Sequence, residues 1–281
     1  MKTFLKRLSS DTPLMMVQTL NFIVANVPSV VDVQAAETPY HKSLRAYVAP
    51  KAEQQGDVAI VPVQGTLAYN PDPWEMLFDG VEDSRNVVNL LATAAADPKT
   101  KGVLLRMDTP GGMMTGGPEI ADAVDYLRAL GKPVVTHIGG MGASLGYMIA
   151  ARSNEIVANR SAIVGSIGVI SSVTDYSAML EKLGIKFEYF TNDEAKFKGA
   201  GAIGSKLTDD QRTQIQASVN SAFTLFKSAV VSNRPQVKAE AMQGQTFRGQ
   251  EAKAVGLIDR IGDEGYALGV LRGYMNEPAK R

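Results

Sequence analysis

PVVTHIGGMGASLGYMIA, Pro133 to Ala150, is the stretch that decides the fold. PVVTHI reads as a short buried strand. It runs into a glycine-rich turn and then into an apolar run that opens at Ser144. A strand that ends in glycine and passes into a helix start is half of a βαβ unit, so further units are expected on either side. Upstream, DVAIVPVQGTLAY gives a strand through Val58, Ile60, Val61 and Val63, and residues 82–96 give a helix with Val87, Val88, Leu90 and Leu91 on one side. GVLLRMD, Gly102 to Asp108, is the next strand. It leads through TPGG into a helix marked by Ile120, Ala121, Val124 and Leu127, which Gly131-Lys132-Pro133 breaks. Downstream, NEIVAN is a fourth strand, Thr174 to Leu183 a helix, and KFEYF, Lys186 to Phe190, another strand. Thr208 and Gln211 have capping-box spacing ahead of a long helix with the stripe Ile215, Val219, Phe223, Phe226 and Val230. The alternation predicts an α/β fold with a mostly parallel sheet.

The composition excludes some chemistry. Lys+Arg and Asp+Glu are both 29, so the 281-residue chain carries no net charge, which argues against nucleic-acid binding through bulk electrostatics. Cysteine is absent, which excludes disulfides, thiolate catalysis and cysteine metal sites. A reducing cytoplasm fits that usage.

The N-terminus imitates a secretion signal: MKTFLKRLSS is basic, LMMVQTLNFIVANV is apolar, and VQA resembles a cleavage site. Asp11, Pro13, Gln18, Asn21 and Asn26 interrupt the apolar run, however. Met16, Val17, Leu20, Ile23, Val24 and Val27 keep helical spacing, so the segment is read as an amphipathic docking helix. No stretch reaches the roughly 20 apolar residues of a membrane span. Residues 28–56, with Pro28, Pro39 and Pro50 and no sustained period, read as a linker. The expected organisation is an N-terminal helix and linker over 1–55, a main domain over 56–272 and a tail over 273–281.

In open α/β sheets, sites form beyond the carboxyl ends of strands. Three such ends carry glycine or serine: DTPGG (Asp108 to Gly112), GGMGASLG (Gly139 to Gly146) and VGSIGV (Val164 to Val169). Tight turns need glycine anyway, but three together point to a site. Gly142-Ala143-Ser144-Leu145-Gly146 fits the G-x-S-x-G nucleophile elbow, and the Leu145 N–H is placed to face a developing oxyanion. The hydrolase elbow needs a later histidine. His41 and His137 are the chain's two histidines, and both precede Ser144. His137 reads as a packed strand residue. A base for Ser144 therefore has to be lysine, aspartate or glutamate. A lysine qualifies only when desolvation favours its neutral form. Lys182, Lys186, Lys196, Lys198 and Lys206 follow the serine, and Lys196 and Lys198 in EAKFKGAG have the most apolar neighbours. A solvated basic loop is the competing reading of that segment.

From about Asp57 to Gly262 the chain resembles the signal peptide peptidase A family of serine peptidases, family S49. The resemblance rests on five motifs in order: VAIVPVQGTL with DTPGG, GMGASLGYMIA, VGSIGVI, the lysine segment, and GQTFRGQEAKAVGLIDRIGD. It implies a ClpP/crotonase-like fold of stacked ββα units and a Ser-Lys dyad without metal or cofactor. Ser144 matches the nucleophile, and Lys198, after Phe197, matches the base. Ser166 matches a lysine-orienting serine, and Gly112 and Leu145 match the oxyanion donors. The sequence departs from the family's pattern at NDEAKFKGAG, where Asp193 and Glu194 stand near the lysines and leave Lys196 as the competing base. Gly111, Met113 and Met148 are expected at the substrate, the methionines as an adaptable apolar pocket or, alternatively, as core.

A single dyad-bearing domain resembles the phage and prophage branch, whose members process capsid, scaffold or portal proteins in prohead assembly. That implies a protein substrate, a homo-oligomeric ring, and action in the host cytoplasm or inside the prohead. A bacterial enzyme that degrades signal peptides is the alternative within the family. Outside it stand a crotonase-like acyl-CoA enzyme, which would not need Ser144, and an inactive assembly protein.

Overall fold

A computed structural model of the chain describes residues 39–276. The amphipathic helix expected near residues 13–27 lies outside the described residues. Two compact units are present. The larger comprises Pro39–Ile170 and the chain from Ser218 on, and the smaller comprises Ser171–Ala217.

The larger unit is built on one sheet, whose path runs β1 (Glu53–Gln55), β2 (Val58–Ala68), β4 (Gly102–Gly112), β5 (Val134–Ala143), β6 (Glu155–Ala158) and β9 (Arg260–Ile261). β3 (Val81–Asp83) adds to β2, β7 (Ile163–Gly165) to β5, and β8 (Thr246–Arg248) to β7. The β1–β2 and β7–β8 pairs are antiparallel, and the other pairs are parallel. Strands and helices alternate as the sequence predicts. Alternate strand residues go to opposite faces. Ala59, Val61, Val63, Val103, Leu105 and Met107 join the main core, beneath α3 (Ser84–Ala96), α4 (Gly117–Ala129) and α5 (Leu145–Ala150). Val58, Ile60, Leu104, Val135 and Val157 face the other way, onto Ala267 and Leu271 of α9 (Glu264–Asn276).

Four expectations change. The strand expected to end at Asp108 continues through Thr109-Pro110-Gly111 to Gly112. After an irregularity at Gln64/Thr66, β2 resumes pairing with it at Thr66↔Gly111 and Leu67↔Gly112. β5 likewise runs on to Ala143, pairing first with β6 and then, from Met141, with β7. The segment read as a linker contains a helix, α1 (Pro39–Val48), and strand β1. Arg45 ties that helix down by donating to Asp83 Oδ2 at 2.9 Å and to the Pro71 carbonyl at 2.7 Å. The tail expected from residue 273 is helical to Asn276.

In the smaller unit, α6 (Ser177–Lys182) lies within the helix expected over 174–183. KFEYF is not a strand. It keeps the two-residue period, with the Phe187 and Tyr189 rings stacked 6.2 Å apart and Lys186 paired to Glu188 at 2.8 Å. No ladder partner completes it among the described residues. The long helix α7 (Asp209–Asn233) starts in this unit and ends in the larger one. Its capping box is formed: Gln211 N donates to Thr208 Oγ1 and Thr208 N to Gln211 Oε1, at 3.2 and 3.1 Å. Phe226 and Val230 of its stripe are buried in the main core.

Candidate active site

Ser144 sits where β5 ends and α5 begins. Its backbone has φ 51° and ψ −125°, a conformation that costs a non-glycine residue of order 1–3 kcal/mol and persists only where the surroundings impose it. Those surroundings are specific. Ser144 N–H donates to the Gly165 carbonyl at 2.8 Å, and Met148 N–H donates to the Ser144 carbonyl at 3.1 Å. Every residue of α5 is buried, and the Tyr147 hydroxyl anchors it by donating to the Leu257 carbonyl at 2.8 Å. Burial pushes the Tyr147 pKa upward, so this donor keeps its proton. Ser144 itself stays half-exposed. This is a nucleophile-elbow geometry, held from both sides.

The end of β4 lies against the elbow. A Cβ on Gly111, whose φ is +104°, would stand 2.7 Å from Ser144 Cβ and 2.9 Å from both the Ala143 carbonyl oxygen and Leu145 N. Only glycine permits that approach. Thr109, fully buried, fixes the strand end. Its Oγ1 donates to the Gly65 carbonyl at 2.5 Å and accepts from Gly111 N–H at 3.0 Å. Gly112 follows, paired with Leu67, and Met113 N–H donates to the Leu67 carbonyl at 2.9 Å. Leu145 is the first residue of α5, so its N–H lacks an intrahelical acceptor.

Ser166, just beyond β7, also has positive φ (52°), and its N–H donates to the Gln245 carbonyl at 2.7 Å. It is half-buried and belongs to the same unit as Ser144, whose N–H is bonded to the residue preceding it. His137 is a packed strand residue as expected, 5% exposed with Nε2 3.3 Å from Asn159 Oδ1.

The methionines part company. Met113 is 58% exposed beside Gly112, whereas Met148 is 1% exposed and belongs to the core. The expectation that Met148 lines a substrate pocket is therefore corrected: α5 turns it inward with Leu145 and Ile149.

Lys198 belongs to the smaller unit. It lies in a run of turns, its N–H donating to the Ala195 carbonyl at 2.9 Å, and its side chain is exposed. The apolar burial expected for EAKFKGAG is absent from that unit. Lys196 is engaged elsewhere, 2.9 Å from Asp210 Oδ2 and 4.9 Å from the centre of the Phe197 ring. Sequence reasoning missed Thr109 and Gln245, whose roles come from backbone pairings that no motif spells out.

The comparisons with known proteins agree with this geometry. The profile of peptidase family S49 matches residues 127–275, and that of Clp protease matches residues 79–172. A candidate protease of Methanocaldococcus jannaschii is 34% identical over 66% of this chain and 60% of its own length. Capsid assembly protease C of Escherichia phage lambda is 31% identical over 76% of this chain and 48% of its own. Protease 4 of Salmonella typhi is 30% identical over 75% of this chain and 34% of its own. The chain thus spans at most about three fifths of these relatives. An elbow serine braced by a glycine strand end, on a mostly parallel sheet of the Clp protease kind, is what the family match accounts for: the chain belongs to peptidase family S49.

Proposed function

We propose that the protein is a serine endopeptidase in which Ser144 is the nucleophile and Lys198 the general base. The observation that carries the reading is the strained Ser144 backbone with Gly111 packed against the Ser144–Leu145 peptide. The neutral Lys198 amine takes the Ser144 hydroxyl proton as Oγ bonds to the scissile carbonyl carbon. The N–H groups of Gly112 and Leu145 receive the oxyanion, each such donor lowering the barrier by roughly 3 kcal/mol. Collapse of the tetrahedral species breaks the C–N bond, and the lysine ammonium protonates the leaving amine. Water then hydrolyses the acyl-enzyme. Ser166 orients the lysine. Of the two adjacent lysines, Lys196 already has its ion pair with Asp210, which favours Lys198 as the base. Desolvation of an exposed lysine calls for a covering surface, which substrate or a neighbouring copy in a homo-oligomeric ring supplies.

The substrates proposed are capsid, scaffold or portal proteins during prohead assembly, in the host cytoplasm or within the prohead. The similarity to the lambda capsid assembly protease supports that choice. The test is to mix the purified chain with recombinant phage structural proteins and, separately, with signal peptides. Cleavage of a structural protein that Ser144→Ala abolishes supports the reading. Turnover of signal peptides alone moves the role to the bacterial alternative.

A further inference from the structure

We infer that a cleft beside the elbow is a specificity pocket for one side chain of the substrate, and that it selects an uncharged residue with a hydrogen-bonding tip. The inference rests on the peptidase reading above. The cleft holds about 330 Å³ and is walled by Tyr69, Ser84, Val88 and Gly116, with Arg85, Asn89 and Glu119 also on its lining.

Its position follows from the chain path. Tyr69 stands two residues past Leu67, the strand partner of Gly112. Gly116 stands four residues past Gly112, and four residues span at most about 14 Å. Gly117, the next residue, packs directly against the Leu145 side chain. A peptide whose scissile carbonyl lies at Ser144 therefore has the cleft within about four extended residues.

Its chemistry follows from Ser84. This residue is 0% exposed and its Oγ has no hydrogen-bond partner. Buried hydroxyls are normally paired, and an orphan on a cleft wall is a vacancy for a ligand's polar group. Gly116 keeps the space before it open: its φ is +86°, and a Cβ there would stand 2.7 Å from Ser84 Cβ and 3.1 Å from Oγ. The charges oppose each other. Arg85, held by Asp83 at 2.6 Å and lying 5.6 Å over the Tyr69 ring, is met by the acidic Glu119, so neither a cationic nor an anionic side chain gains. Aromatic and aliphatic walls with one inner hydroxyl suit glutamine better than its near-isostere methionine.

The test uses the full chain and fluorogenic peptides carrying Gln, Met, Lys, Glu or Gly in turn at each of the five positions before the scissile bond. At one position, wild type is expected to cleave the Gln peptide with about tenfold higher kcat/KM than the Met peptide. Ser84→Ala brings Gln down to the Met level there. Asn89→Trp, on the exposed side of α3, closes the mouth and lowers both relative to Gly. Labelling of Ser144 by a fluorophosphonate reads the catalytic site separately. A labelled wild type with a flat profile, or a profile that both variants leave unchanged, overturns the pocket and leaves the peptidase standing. A wild type that neither labels nor cleaves overturns the peptidase reading and the pocket with it.

Discussion

Gly111 and Ser144 meet backbone to backbone, so closely that a methyl on Gly111 would stand 2.7 Å from Ser144 Cβ and 2.9 Å from Leu145 N. The strand end that offers an oxyanion donor and the turn that offers the nucleophile are thus one packed object. Gly111→Ala should push them apart. Fluorophosphonate labelling of Ser144 is expected to slow at least 100-fold, the scale of losing one oxyanion donor. Circular dichroism should show the fold retained. Labelling at the wild-type rate would mean that this contact does not set the site.

Thr109 should matter through the same contact. Thr109→Val keeps the shape but leaves the Gly65 carbonyl and the Gly111 N–H without their partner. Urea unfolding is expected to show a loss of about 1–3 kcal/mol, together with slower labelling. Thr109→Ser, which keeps the hydroxyl, should recover most of both.

Asp259 belongs to the late Gly-Leu-Ile-Asp run. Its carboxylate accepts from Arg234 Nη2 and from Ile156 N–H, each at 2.8 Å, and its own N–H donates to the Ile156 carbonyl at 2.9 Å. Arg234 is 4% exposed. Asp259→Ala would strand a buried guanidinium, and a loss of about 3–5 kcal/mol is expected in chemical denaturation. A change under 1 kcal/mol would show that water reaches Arg234.

Glu82 gives a pH signature. Burial raises its pKa from 4.5 to about 7, against a hydrogen bond from Asn86. Between those values the folded chain holds a proton that the unfolded chain has released, so stability falls as pH rises. Its contribution is full below about 4.5 and lost above about 7, an effect of order 3 kcal/mol. Glu82→Gln should remove that slope and raise Tm at pH 8. Parallel wild-type and variant Tm curves from pH 4.5 to 8 would contradict it.

The sheet was legible because its strands are apolar and end in glycine. What the sequence hid was how far they run. Asp108-Thr-Pro-Gly-Gly has the composition of a turn, yet β2 resumes its pairing beyond Gln64/Thr66 and keeps it extended to Gly112. KFEYF shows the converse, a strand's period without a partner strand. Ser144 was legible because small residues flank it and α5 follows. Met148 was misplaced because an apolar residue after an elbow serves core and pocket equally well in sequence. Lys198 sits among apolar letters, but burial is a property of what covers a segment, and its own unit leaves it exposed. The ion pair that distinguishes Lys196 joins residues 14 apart, through no visible motif.

The most direct measurement of the central claim is cleavage of an unfolded model protein by wild type, Ser144→Ala, Lys196→Ala and Lys198→Ala in parallel, with folding checked for each. The account predicts cleavage by wild type and Lys196→Ala, and none by Ser144→Ala or Lys198→Ala. Cleavage by Lys198→Ala with loss in Lys196→Ala would contradict the choice of base, and cleavage by Ser144→Ala would contradict the mechanism itself.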